Sequence, residues 1–225
     1  MSQSFSLTDS LSLADLQVYL SRAGRVEDGA VRLISAAGVL AVYTAILYPR
    51  GLLDTSPTVL GLRTFALTEQ VDLDVVVPVR SLLDRVARLQ AAVVDPGAPV
   101  AVTVPLQVST VTWAGISPPR GGWQPQGETD AARLESVARA GIEEVAAAIP
   151  AGTGEQIVQR VRSEVWGRPV EGLEFVPTGA GFAAFSLGFL APGEPVQLFE
   201  TGPWTRLSTS RGHILVRRKP WTLKA

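Results

Sequence analysis

The run Arg32-Leu33-Ile34-Ser35-Ala36-Ala37-Gly38-Val39-Leu40-Ala41-Val42-Tyr43-Thr44-Ala45-Ile46-Leu47-Tyr48-Pro49-Arg50 decides the fold. From Leu33 to Pro49 it carries no charge for 17 residues. That is the shortest length able to span a bilayer as a helix. Its contents argue for strands instead. Val39, Val42, Tyr43, Thr44 and Ile46 are β-branched or aromatic; such side chains lose rotamer freedom in a helix and pack well on a pleated sheet. Gly38, after Ala36-Ala37, supplies a turn in the middle. The stretch reads as a buried hairpin with strands at 30–35 and 39–48, and no membrane partner is expected.

Working outward, residues 58–68 give a third strand. Before the hairpin, Leu13, Leu16 and Leu20 line one face of a helix over 12–23, with Ser12 and Asp15 as a capping box and Gly24 as the stop. After it, Pro78 suits a helix start, and Leu82, Leu83, Val86 and Leu89 repeat at helical spacing to about Ala91. Residues 99–113 read as strand, with Pro105 at an edge or bend. Gly115, Gly121, Gly122 and Gly127 then alternate with Pro118, Pro119 and Pro125, which is loop composition. Two helices follow, capped by Thr129 and by Thr153 with Gln156, running to Ile149 and Trp166 as a helical hairpin. Residues 175–190 are apolar all round and fit helix or strand. Strands at 196–200, 204–209 and 213–218 close the chain.

The expected fold class is α+β, antiparallel sheet with a helical hairpin and additional packed helices. The expected division is a β-rich part over 1–114, a linker loop over 115–128, and a helical-hairpin-plus-strand part over 129–225, all of which can also form one domain. At a constant offset of 174, Arg32-Leu33, Gly38, Leu40 and Val42 match Arg206-Leu207, Gly212, Ile214 and Val216. A duplication produces such an echo, and so does the grammar any two hairpins share.

Composition narrows the chemistry. The 225 residues hold no cysteine, one histidine and two lysines, Lys219 and Lys224. Thiol catalysis, disulfides, Cys-based metal sites and a P-loop lysine are thereby excluded. The 46% hydrophobic content is enough for a packed core. Eighteen arginines against two lysines suggest a GC-rich bacterial genome. Residues 1–9 carry no basic group, so no secretory leader is read and a cytoplasmic location is expected. Net charge is −2 over 1–112, −5 over 113–200 and +6 over 201–225.

Gly179-Ala180-Gly181-Phe182-Ala183-Ala184 fits G-x-G-x-x-A after a short strand, and Glu200 stands 21 residues beyond Gly179. The stretch resembles the start of a Rossmann-type flavin or nicotinamide site. The resemblance implies Gly179 and Gly181 against a pyrophosphate and Glu200 on a ribose. Only 25 residues follow Glu200, however, and they read as antiparallel strands, whereas a parallel sheet needs long crossovers. The competing reading is a buried helix whose small residues permit close packing, and no cofactor is expected.

Three binding surfaces suggest themselves. Trp113, Arg120 and Trp123 flank or occupy the Gly/Pro loop, and aromatic and arginine side chains dominate interface energetics. Arg206, Arg211, Arg217, Arg218 and Lys219 form a basic end that fits nucleic acid or a solvated strand edge. His213 is the single imidazole available for acid–base work. Asp72 and Asp74 share one face if strand-like, a geometry able to hold a cation. The sum points to a non-catalytic binding or assembly protein whose partner is a protein or another copy, with no enzymatic role expected. A nucleotide-cofactor protein and a nucleic-acid binder stand as alternatives.

Overall fold

The computed structural model describes residues 3–51, 54, 56–109, 111–115, 117–150 and 152–217. It is an α+β fold of two compact units: residues 1–44 with 62–116, and residues 45–61 with 117–225.

The first unit contains β1 (Ser4–Leu7), α1 (Ser10–Val26), β2 (Ala30–Ala36), the start of β3 (Val39–Leu47), the end of β4 (Thr58–Ala66), β5 (Leu73–Pro78), α2 (Val79–Ala91) and β6 (Val100–Thr103). Strands run in the order β5-β2-β3-β4, and β1 pairs separately with β6. The opening stretch is the β2–β3 hairpin, closed by Ala36↔Val39. Ala37 and Gly38 have φ of 51° and 77°, as a tight two-residue hairpin turn requires. Val31, Leu33, Leu40 and Val42 point inward, against Leu13, Leu16 and Leu20 of α1 and Leu82 and Val86 of α2. Tyr19 is buried among them, its hydroxyl 2.8 Å from Thr44 Oγ1.

The second unit holds the remaining ends of β3 and β4, then β7 (Gln124–Asp130), α3 (Ala131–Ala148), α4 (Glu155–Gly167), β8 (Pro169–Val170), β9 (Leu173–Pro177), α5 (Thr178–Ser186), β10 (Pro195–Thr201), β11 (Trp204–Thr209) and β12 (Gly212–Arg217). The order is β3-β4-β12-β11-β10-β7, with β8 and β9 paired apart. α5 packs against α3 and α4. Beneath them lie Val196, Leu198, Leu207, Ile214 and Val216, all buried. Each unit thus contains two strands that lead straight into a helix: β1–α1 and β5–α2 in the first, β7–α3 and β9–α5 in the second.

Several local expectations are corrected. Asp9, not Ser12, caps α1, its Oδ1 accepting the Ser12 N–H at 2.7 Å. Gly24 lies inside that helix. Thr129 belongs to β7, so Asp130 holds the cap position of α3. Thr153 Oγ1 donates to Pro150 O instead of capping α4. The strand read over 99–113 is confined to β6, and Trp113 sits in a 3-10 turn, Thr112–Gly115. β5 takes in Asp74 but starts after Asp72, and β7 occupies the last part of the stretch read as a loop. Residues 175–190 resolve into the end of β9 followed by α5. Among the described residues no helix is long and apolar enough to cross a membrane.

The offset-174 echo does not survive in register. β11–β12 closes with Thr209↔Gly212, so Gly212 opens the returning strand while Gly38 lies within its turn. A Cβ on Gly212 would sit 2.6 Å from Phe189 Cζ, and none would touch anything at Gly38. The two glycines serve different needs: one a close approach, the other a turn.

Candidate binding site

The edge of the second unit's sheet brings together residues that the sequence presents far apart. Phe199 on β10 stands directly opposite Arg206 on β11 and, on its other side, opposite Pro125 on β7. A bulge between Leu198 and Phe199 skips Gln126, with Gly127 at φ 109°. Bulges of this kind re-aim side chains at a sheet edge. Trp123, two residues before Pro125, falls on the same side as Phe199. The Arg206 guanidinium carbon lies 4.6 Å from the Trp123 ring centre and 4.5 Å from that of Phe199. Trp123 Nε1 donates to Pro119 O at 3.2 Å, which anchors the indole to the preceding segment.

Arg206 is half-buried. Its Nε is buried without a hydrogen-bond partner, and among the described residues no carboxylate pairs with its guanidinium. Burial holds its pKa below the ordinary arginine value. The adjacent acid, Glu128, accepts from Gln197 Nε2 at 2.8 Å. Next along the sheet, His213 Nδ1 lies 2.9 Å from Ser208 Oγ, its cross-strand partner. Burial first, and the Arg206 charge second, push the imidazole pKa below its ordinary 6.5. The arrangement is a half-buried cation held over two aromatic faces, with an imidazole on the neighbouring strand. A guanidinium so placed can accept an anionic partner.

The other sequence-named residues scatter. Trp113 is 3% exposed, inside the first unit, and belongs to no surface. Arg120 is exposed on the segment leading to Trp123. Arg211 lies at the β11–β12 turn, where Glu194 accepts from Ser210 N and Oγ at 2.8 and 3.0 Å and the Arg211 charge also favours the carboxylate. Arg217 ends β12 at the far end from that turn. Arg218 and Lys219 lie outside the described residues. The described arginines of this basic group are spread along the β11–β12 hairpin, Arg206 in mid-strand, Arg211 at the turn and Arg217 at the open end.

The glycine motif is a packing device. A Cβ on Gly179 would meet the Trp166 carbonyl oxygen at 2.8 Å, and one on Gly181 the Leu134 carbonyl oxygen at 3.0 Å. The start of α5 is already engaged: Thr178 N–H donates to Arg168 O at 2.7 Å, and Thr178 Oγ1 to Val165 O at 2.6 Å. β9, which leads into the motif, pairs only with short, antiparallel β8 among the described residues. Helix α3 and the end of α4 press on both glycines, the close packing that the competing reading of this stretch expects. Glu200 itself pairs across the sheet with Thr205 and Gln124.

Asp74 is likewise engaged: Arg32 Nε and Nη2 each donate to one of its oxygens at 2.8 Å. Among the described residues no group of three or more His, Asp or Glu stands ready for a metal. A concavity of about 750 Å³ lies between α4 and residues 50–57, lined by Arg50, Asp54, Ser56, Arg160 and Ser163 among others. Ser56 Oγ is 2.5 Å from Asp54 Oδ1 and 2.6 Å from Ser163 Oγ. These contacts tie the connector to α4.

Two family models match the sequence, both described as domains of unknown function: DUF8010 over residues 1–105 and DUF8185 over 118–221. No curated protein matches it. The fold, by contrast, is similar to solved sliding clamps. A Caulobacter crescentus pol III beta matches with a TM-score of 0.51 at 12% identity, covering 98% of this chain and 67% of that one. A DnaN sliding clamp (DNA polymerase III subunit beta) from Bartonella birtlesii, bound to griselimycin, matches at 0.51 and 13%, covering 98% and 66%. A DNA polymerase sliding clamp from Caulobacter crescentus gives 0.50 and 14%, covering 99% and 67%. At such identity the likeness is one of fold.

Proposed function

We propose that this protein is a non-catalytic binding protein on a sliding-clamp-like fold, and that it works by assembling with a protein partner or further copies of itself. The observation that carries the reading is the likeness to sliding clamps across 98–99% of the chain. The Trp123–Arg206–Phe199 site supports it, because aromatic and arginine anchors at a half-buried position are the residues from which interface hot spots are made. The acid beside that site, Glu128 on the neighbouring strand, suits a protein surface better than a polyanion.

Photo-crosslinking in the cells that make the protein tests this. With p-benzoylphenylalanine at Gln197, exposed on β10 beside the site, mass spectrometry is expected to find protein adducts absent with the same residue at Val94, which is 96% exposed in the first unit. Equal labelling at both positions, or none at Gln197, would overturn it.

Nucleic-acid binding is a second reading, favoured by the printed titles of the clamps the fold is similar to. Its mark is duplex affinity that falls steeply between about 50 and 200 mM salt.

A further inference from the structure

The geometry points to Arg206 as a carboxylate-binding anchor: a partner protein's Asp or Glu side chain supplies the counter-ion that the described residues do not, with Trp123 and Phe199 as the walls of the subsite. The inference rests on the protein-binding reading above and names the chemistry of that contact.

Leaving a guanidinium partly desolvated without an acid is costly, and proteins generally avoid it by pairing or exposing the group. Here no carboxylate among the described residues pairs with the group, and it is only partly exposed. The side chain is held over two rings, 4.6 and 4.5 Å from their centres, with Nε buried and unbonded. The nearby acid that could have turned toward it, Glu128, is engaged by Gln197. Aromatic contacts hold the planar fork in one orientation while the cation keeps its charge. A group so pre-oriented loses little entropy when an acid docks on it, which is where affinity is gained. One carboxylate satisfies a fork of N–H donors bidentately. A nucleic acid is held by a row of cations, and Arg211 and Arg217 stand at opposite ends of the β11–β12 hairpin that carries Arg206.

The molecule carries its own reporter. His213 is the chain's single histidine, and Arg206 is one of the two causes lowering its pKa. A carboxylate seated on Arg206 offsets that charge, so the imidazole pKa must rise. Of the groups facing His213, Ser208 is its cross-strand partner on β11 and Arg206, the charged one, lies two residues away on that strand.

The experiment is a proton NMR titration of the His213 ring in the full chain, with N-acetylglutamate amide as probe and sodium chloride at matched ionic strength as reference. The pKa is expected to rise saturably with the probe beyond the chloride reference. In Arg206→Gln the starting pKa is expected to be higher already, with no further rise. Arg206→Lys keeps the charge but loses the fork, and its apparent affinity is expected to fall several-fold. Absence of a saturable rise in the wild-type chain, which needs no variant to fold, overturns the proposal. So does an equal rise in Arg206→Gln, or a rise with inorganic phosphate or duplex DNA and none with the carboxylate. Protein adducts at Gln197 with a silent titration would sink this contact and leave the assembly reading standing; silence in both would remove the two together.

Discussion

The Trp166 indole lies across the Cα of Gly141, so close that a methyl group there would sit 2.3 Å from Trp166 Cζ3. The indole is 2% exposed and stacks on Phe182, ring centres 4.2 Å apart and planes 17° off parallel. It joins the three helices of the second unit: Gly141 on α3, Trp166 on α4 and Phe182 on α5. A missing side chain on one helix makes room for the largest side chain on the next.

Gly141→Ala should therefore destabilise the protein even though alanine favours helix. The propensity gain is about 1 kcal/mol, and overpacking a filled site costs about 1–3 kcal/mol. A net loss of roughly 1 kcal/mol is expected as a lower urea midpoint with an unchanged slope. A raised midpoint would show that Trp166 can move aside.

The motif glycines invite a second substitution test. Gly179→Ala and Gly181→Ala each press a methyl group against a backbone carbonyl, which cannot rotate away as a side chain can. Losses of about 1–3 kcal/mol are expected, larger at Gly179, whose contact is 2.8 Å against 3.0 Å. Thermal unfolding measures the loss. Native mass spectrometry of wild-type and variants is expected to show the same mass apart from the substitution, and a dinucleotide adduct lost in the variants would restore the nucleotide reading of these glycines.

What the sequence shows of this fold follows from how local each signal is. The β2–β3 hairpin is legible because alternation and a Gly turn lie within a few residues of each other. α2 is legible from Pro78 with Leu82 and Val86. β7 is not: Gln124-Pro125-Gln126-Gly127-Glu128 has no apolar alternation, because an edge strand with mostly exposed side chains needs none, and pairing with β10 makes it a strand. Trp113 looks like a surface residue beside glycines and prolines yet is buried. Trp123 and Arg206 are both conspicuous in the sequence, but for different surfaces. The β7-β10-β11 register joins them across 83 positions, and no local pattern encodes a register between distant strands.

Arg32 gives a test in the first unit. Its side chain is 14% exposed, grips both Asp74 oxygens at 2.8 Å, and donates through Nη1 to Ala114 O at 2.5 Å. Those bonds to Asp74 are the main reason its pKa is raised. Lysine keeps the charge but cannot span both contacts. Because Asp74 is 56% exposed, solvent screens the ion pair and discounts it. Arg32→Lys is expected to cost about 1 kcal/mol, read from the urea midpoint. Asp74→Asn, which leaves an acceptor in place, should cost less. An Arg32→Lys protein as stable as wild type would show that the fork geometry contributes nothing.

The same imidazole that reports on Arg206 makes stability depend on pH. Its folded pKa lies below 6.5, lowered by burial and by Arg206, so in the window below that value the unfolded chain binds the proton more readily. Stability from neutral His213 is complete above the unfolded pKa and is lost as pH falls through the window toward the folded pKa. Arg206→Gln removes one of the two causes and should narrow the window from below. His213→Gln should abolish this part of the pH dependence while carboxylate titrations at lower pH remain. Urea unfolding from pH about 7.5 to about 5 measures it. The wild-type midpoint should decline through the imidazole range, the Arg206→Gln midpoint less so, and the His213→Gln midpoint should stay flat there. Parallel curves for all three would show that Arg206 exerts no field on His213, and the reporter used for the carboxylate test would fail with it.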